Sequence, residues 1–183
     1  PTRGRTGFDH LLLGSTTERV VRESTVPVLS VRPDGETRRY PYRNILVPTD
    51  GSERADDALD RALAIADHAD ATVHILSAVD VGSVGIEGDS GVDALVEGAE
   101  ETVADAAATA EAAGVESVEA AEVGSSAPRA IRAYVDENDI DLVVMGTQGR
   151  TGVKRYLLGS VAERTVRTSP TPVVTVPGPG DEE

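Results

Sequence analysis

The stretch from Asp141 to Arg167 limits the possible folds of this chain more than any other. Asp141 to Met145 is a short apolar run of the kind that forms a buried parallel strand, and from Gly159 onward apolar residues recur at helical spacing. Between strand and helix lie Gly146, Gly149 and Gly159, the last followed by Ser160. A strand that leads through glycines into a helix belongs to an α/β architecture, because the helix must cross back over a sheet. Such a junction also suits anions: glycine lets a ligand approach the backbone, and a helix N-terminus offers unpaired amides and a favourable dipole. A second reading of the same residues is structural, with Ser160 and Glu163 forming a Ser-x-x-Glu capping box.

The alternation of strand and helix holds from residue 45 onward. Ile45 to Val47 reads as a first strand ending in Pro48-Thr49-Asp50-Gly51-Ser52, with Ser52 as N-cap of a helix whose apolar face is Ala55, Ala58, Leu59, Ala62 and Ala66. Val73 to Val79 is a second strand, and residues 80–91, with four glycines, are expected to be a mobile loop able to close over a ligand. Ala94 to Ala113 reads as a helix stopped at Gly114, and Val118 to Val123 as a third strand. Ser126 caps a helix with Ala127, Ala130, Ile131, Tyr134 and Val135 on one face, and Asp141 to Met145 is strand four. Ser160 to Thr168 is the last helix and Val173 to Val176 strand five. The expected fold is a doubly wound α/β domain with a five-stranded parallel sheet, taking ligands beyond the carboxyl ends of its strands.

Residues 1–32 repeat residues 146–177 at a constant offset of 145. Sixteen of the shared positions run from Thr2, Gly4 and Arg5 through Gly14, Ser15, Glu18 and Val21 to Pro27, Val28 and Val31. The first copy starts inside the motif, with Pro1 where the second has Gly146. So short a segment cannot bury a core by itself, so it reads as the tail of a preceding tandem domain. The competing reading is an N-terminal extension that only looks like the motif. Residues 33–44 then form a polar linker with two prolines and a glycine, 45–177 the complete domain, and 178–183 a frayed tail.

The spacing Gly-x2-Gly-x9-Gly-Ser, from Gly146 through Gly149 to Gly159 and Ser160, resembles the nucleotide-binding signature of the universal stress protein family, of the type that binds ATP. The resemblance spans Arg43 to Val176 fully and the first 32 residues in part. It implies a Rossmann-like strand order of 3-2-1-4-5, which brings Asp50 and Gly146 together in the crevice between strands one and four. By resemblance, Asp50 meets the nucleoside from the Pro48-Thr49-Asp50 turn, the backbone of Ala78 meets adenine, and Met145 lies beside the adenosine. Gly146, Gly149, Gly159, Ser160 and Val161 correspond to phosphate and ribose contacts, with Arg150 near the phosphates. Mg²⁺ would be held mainly by phosphates and water, since no carboxylate cluster accompanies the glycines. Asp50 also has a structural reading, as a turn aspartate bonded to local amides. The family further implies self-association through strand five. That would be a homodimer or an intramolecular pairing of tandem copies, with Val28 and Val31 beside Val173 and Val176.

Charge separates the remaining function classes. A net charge of -15 argues against nucleic acid and anionic membranes as partners. The distribution is uneven: between Glu87 and Glu122 there are eleven acidic residues and no basic one, whereas Arg150 to Arg167 holds five basic residues against Glu163 alone. Arg150, Lys154 and Arg155 are therefore candidates for phosphate contact as well as for a solvated face. Sixteen of the seventeen basic residues are Arg, a profile similar to that of proteins from salt-loving archaea. With no cysteine, no apolar run of membrane-spanning length and no visible signal peptide, a cytoplasmic location is expected. His10, His68 and His74 fall on separate elements without metal-ligand spacing. No catalytic constellation stands out, so at most weak ATP hydrolysis is expected. The alternatives are a dimeric scaffold of the same family without nucleotide, or an adenylyl-transferring enzyme on a related fold.

Overall fold

The computed structural model describes residues 15–32, 40–80, 89–123, 126–148 and 158–178. In chain order the elements are α1 (Ser15–Glu23), β1 (Val28–Ser30), β2 (Asn44–Pro48), α2 (Glu53–Ala69), β3 (Thr72–Val79), α3 (Asp89–Ala112), β4 (Ser117–Val123), α4 (Ala127–Glu137), β5 (Leu142–Gly146), α5 (Ser160–Thr168) and β6 (Val173–Val176). The strands form one sheet in the order β1-β6-β5-β2-β3-β4.

The five strands expected from sequence are β2 to β6. They pair in parallel and in the expected order. The sheet itself is six-stranded and mixed, which corrects the expectation of five parallel strands. The sixth strand is β1, which runs antiparallel along β6 with Val28 opposite Thr175, Leu29 opposite Val174 and Ser30 opposite Val173. An end strand leaves a row of backbone N–H and C=O groups unpaired, and β1 satisfies those of β6. The pairing of the two copies is thus antiparallel, with Val28 beside Thr175 and not beside Val173 or Val176.

Apolar periodicity places the helices. Ala55, Ala58, Leu59, Ala62 and Ala66 are all buried on α2, whose N-cap Ser52 accepts from the Ala55 amide at 3.4 Å. Ala58, Leu59, Ala62 and Ala66 join Ile45, Val47, Val73, Ile75, Val144, Val174 and Val176 in a core on one face of the sheet. On the other face Leu46, Leu76, Ile131, Tyr134, Val143, Met145, Ala162 and Val166 form a second core under α4 and α5. Two buried faces explain why β2, β3, β5 and β6 are mostly apolar and buried, while β4, at an edge, is mostly exposed.

Two boundaries differ from the sequence reading. α3 begins at Asp89, so Gly91 and Gly98 lie inside a helix of 24 residues. Glycine costs about 1 kcal/mol in a helix, which the packing of a long helix against β3 and β4 outweighs. Of the segment read as a closing loop, residues 81–88 lie outside the described residues. The domain also starts earlier than 45: Tyr42 packs on the first core, and the Asp141 carboxylate accepts from the amides of Arg43 and Asn44 at 2.8 and 3.1 Å. These bonds tie the end of the expected linker to the start of β5.

Candidate functional site

Five segments end around one cleft of about 230 Å³, bounded by the carboxyl ends of β2, β3 and β5 and the first turns of α4 and α5. Pro48, Thr49, Asp50, Ala78, Met145, Gly146, Gly159, Ser160 and Val161, all singled out from the sequence, line it. Gly149 and Arg150, and with them Lys154 and Arg155, lie outside the described residues. The sequence reading missed Leu76, Thr147, Gln148, Ala127 and Ile131 as walls of this cleft. Ala127 and Ile131 were placed on the apolar face of their helix, and only the strand order turns that face toward the crevice.

Each lining residue has a local cause. β2 ends with Pro48 opposite Leu76, and the Thr49 amide donates to the Leu76 carbonyl at 2.9 Å. β3 continues to Val79 beyond that point. Strand parity turns the N–H and C=O of Ala78 to the same side as the Leu76 carbonyl, where β2 no longer runs. Ala78 therefore offers one donor and one acceptor to the crevice. Asp50 works in the turn: its Oδ1 accepts from the Ser52 amide at 3.2 Å and from Ser52 Oγ at 2.6 Å. Gly51 takes the left-handed conformation this turn needs, at φ 70°.

The glycines divide into different tasks. A Cβ on Gly146 would lie 2.7 Å from the Arg54 carbonyl oxygen and 3.2 Å from Arg54 Cβ. The missing side chain therefore admits the start of α2, not a ligand, although the backbone of Gly146 still lines the cleft. Gly159 is the N-cap of α5, in extended conformation, and its amide donates to the Thr147 carbonyl at 2.8 Å. That amide is committed to tying the two ends of the glycine-rich segment together.

Ser160 is the first residue inside α5, not its cap. The Glu163 amide bonds the Gly159 carbonyl at 2.9 Å, and the Glu163 carboxylate pairs with Arg167 at 3.5 Å, so the capping box is not formed. The amides of Ser160, Val161 and Ala162 precede the first intrahelical donor, and all three residues line the cleft beside the exposed Ser160 hydroxyl. This is a set of convergent donors with the helix dipole behind it.

The electrostatic surroundings are acidic. Burial first, then repulsion from Asp60, Asp57, Asp50 and Glu53, raises the pKa of the Asp56 carboxyl. Behind the cleft, on the face of α4 that carries Ile131, Tyr134 hydroxyl meets His74 Nδ1 at 3.0 Å. Burial lowers the pKa of His74 and raises that of Tyr134, with Glu122 adding to the latter. Among the described residues no group of three His, Asp or Glu side chains is arranged to hold a metal, and no helix is long and apolar enough to cross a membrane.

The universal stress protein family model matches residues 1–32 and 41–177. A universal stress protein of Methanocaldococcus jannaschii is 35% identical over 146 residues, which are 77% of this chain and 85% of the relative. The chain belongs to the universal stress protein family. Solved universal stress protein structures share its architecture. One from Archaeoglobus fulgidus matches with a TM-score of 0.67 and 28% identity, covering 98% of this chain and 60% of its own. Another, determined in complex with cAMP, matches with a TM-score of 0.57 and 32% identity, covering 74% of this chain and 96% of its own. The cleft of this universal stress protein lies at the switch point of its sheet, between β2 and β5, where doubly wound folds take their ligands.

Proposed function

We propose that this universal stress protein is a regulatory module whose cleft takes an adenine nucleotide, ATP with Mg²⁺, and whose association or conformation follows occupancy. The observation that carries the reading is the convergence on one cleft of the Ala78 backbone, the Asp50 turn and the three leading amides of α5. By the family resemblance these groups would meet base, ribose and phosphate. At about 230 Å³ the cleft is smaller than the roughly 300 to 1,000 Å³ of common small-molecule pockets, and it fits a nucleoside whose phosphates leave past Ser160. The family relative determined with cAMP supports an adenine nucleotide as the ligand class. Acidic groups near the mouth make free triphosphate a poor ligand, so Mg²⁺ would bridge phosphates and water and reduce the repulsion. Among the described residues no histidine lines the cleft, and binding rather than turnover is the proposed role.

The test is calorimetry with ATP, cAMP and Mg²⁺ at high salt on the wild type and Ser160→Pro. Proline is favoured at the first helical position, and the extended Gly159 before it suits proline, so α5 should survive. The substitution deletes one amide and the hydroxyl together, and ATP affinity should fall at least tenfold with the thermal midpoint unchanged. Equal affinity in the two proteins would refute the assignment.

A further inference from the structure

β4 is the edge of the sheet opposite to β1, and among the described residues no strand lies outside it. The Val73 amide donates to the Glu116 carbonyl at 2.9 Å, with Val73 opposite Ser117, so the even-numbered residues of β4 bond β3. Strand parity then turns the amides and carbonyls of Ser117, Glu119 and Ala121 outward.

The two faces of this edge differ. Ser117 and Glu119 lie opposite Val73 and Ile75, on the side of the sheet covered by α2 and α3. There a groove of about 520 Å³ is lined by Ala104, Ala107 and Ala108 of α3 and by Glu111, Glu116 and Glu119. Small apolar side chains beside carboxylates suit a long cationic side chain, whose stem lies on the alanines while its head meets the glutamates. Val118 and Ala120 lie opposite His74 and Leu76, on the side of α4. Val118 is 40% exposed, and Val123 at the end of the strand 39%.

The carboxylates of the groove have no cation near them in sequence, since no basic residue occurs between Glu87 and Glu122. Glutamates alone would shield an edge from aggregation, but exposed valines and an open groove do not serve that end. A second copy of the chain is a poor occupant, because its own β4 would bring the same glutamates against these.

We propose that β4 is a docking edge for an extended basic segment of another protein, which pairs through its backbone with Ser117, Glu119 and Ala121. Along that segment Arg or Lys alternates with apolar residues. The cationic set enters the groove beside α3, and the apolar set covers Val118 and Ala120. This surface is separate from the cleft between β2 and β5 and does not depend on what that cleft binds.

The test uses the full chain and a short capped peptide alternating Arg and Val, with a second peptide of the same sequence in which every amide is N-methylated. Both carry the same charge, so general attraction to a chain of net charge -15 does not distinguish them. In about 1 M KCl, where charges act over only about 3 Å, the first peptide should bind at least tenfold tighter than the second. It should slow hydrogen exchange of the Ser117, Glu119 and Ala121 amides at least tenfold and leave the β1 amides unchanged. Glu111→Lys with Glu119→Lys, both at exposed positions, should weaken the first peptide at least tenfold without loss of thermal stability. No binding of the first peptide, equal affinity of the two, protection of β1 in place of β4, or affinity that survives both lysines overturns the proposal. So does self-association that protects the same amides without peptide, since the occupant would then be a second copy.

Discussion

Leu29 lies directly opposite Val174 in the β1–β6 pair, and the two are the same position in the two copies of the repeat. On either side Val28 meets Thr175 and Ser30 meets Val173, so every pairing has its exchanged counterpart. A pseudo-twofold axis therefore passes through the sheet between Leu29 and Val174. A symmetric pair of this kind is self-complementary, so either copy can in principle be replaced by the other.

Removing residues 1–32 should accordingly turn an intramolecular pair into an intermolecular one. β6 would regain a bare edge, and a second β6 would take the place of β1. Light scattering should find a monomer–dimer equilibrium for the deletion variant at high salt. A deletion variant that stays monomeric at hundreds of micromolar contradicts this use of the edge.

Gly146 and Ser160 should separate by which property they change. Gly146→Ala forces a methyl against the Arg54 carbonyl and should cost about 1 to 3 kcal/mol of stability without any ligand present. Ser160→Ala removes a hydroxyl that caps nothing and should stay within about 0.5 kcal/mol, whereas loss of a true cap costs about 1. Urea unfolding of both variants without nucleotide checks the pair of statements.

These two residues also mark how far the sequence could be read. The spacing of glycines between an apolar run and a helix was enough to place the cleft, because periodicity and turn chemistry are local. It could not assign the glycines their tasks. Gly146 is explained by Arg54 and Gly159 by Thr147, contacts that exist only once β5, α2 and α5 are in place. For the same reason Ile131 was legible as an apolar-face residue and not as a wall of the site. The sixth strand was legible as a repeat, yet its register follows from an axis that no single copy contains.

Asp56 should report on the acidic start of α2. Its folded pKa is raised, so the ionised form is disfavoured in the folded protein and the penalty develops as pH rises from the unfolded value of 3.8 through the folded one. Above that window the penalty is complete. Asp56→Asn should therefore raise the thermal midpoint at neutral pH; the part due to repulsion should shrink between 0.1 M KCl, where charges act over roughly 10 Å, and 2 M, while the part due to burial, the larger cause, should remain. Wild-type midpoints should climb with KCl for the same reason. An Asn variant that melts with the wild type at low salt would show that neither the burial of the Asp56 carboxylate nor its acidic neighbours burden the fold.

The last prediction concerns His74, which burial holds below the usual histidine range of about 6.5. The groups facing it are the Tyr134 hydroxyl on α4 and, through Tyr134, Glu122 on β4. Well above pH 6.5 the imidazole is neutral in both the folded and unfolded chain and contributes no pH dependence. Below it the unfolded chain takes up a proton that the folded chain refuses, so stability falls as pH drops toward the folded pKa. The slope approaches about 1.4 kcal/mol per pH unit for one proton. His74→Asn keeps a hydrogen-bond partner for Tyr134 and removes the titration, so it should flatten unfolding free energy between pH 6.5 and 5.5 relative to wild type. Because the folded chain keeps His74 neutral over that interval, the stability change comes from the unfolded chain and not from a change of state beside the cleft. Parallel slopes for the two proteins would show that His74 does not take part.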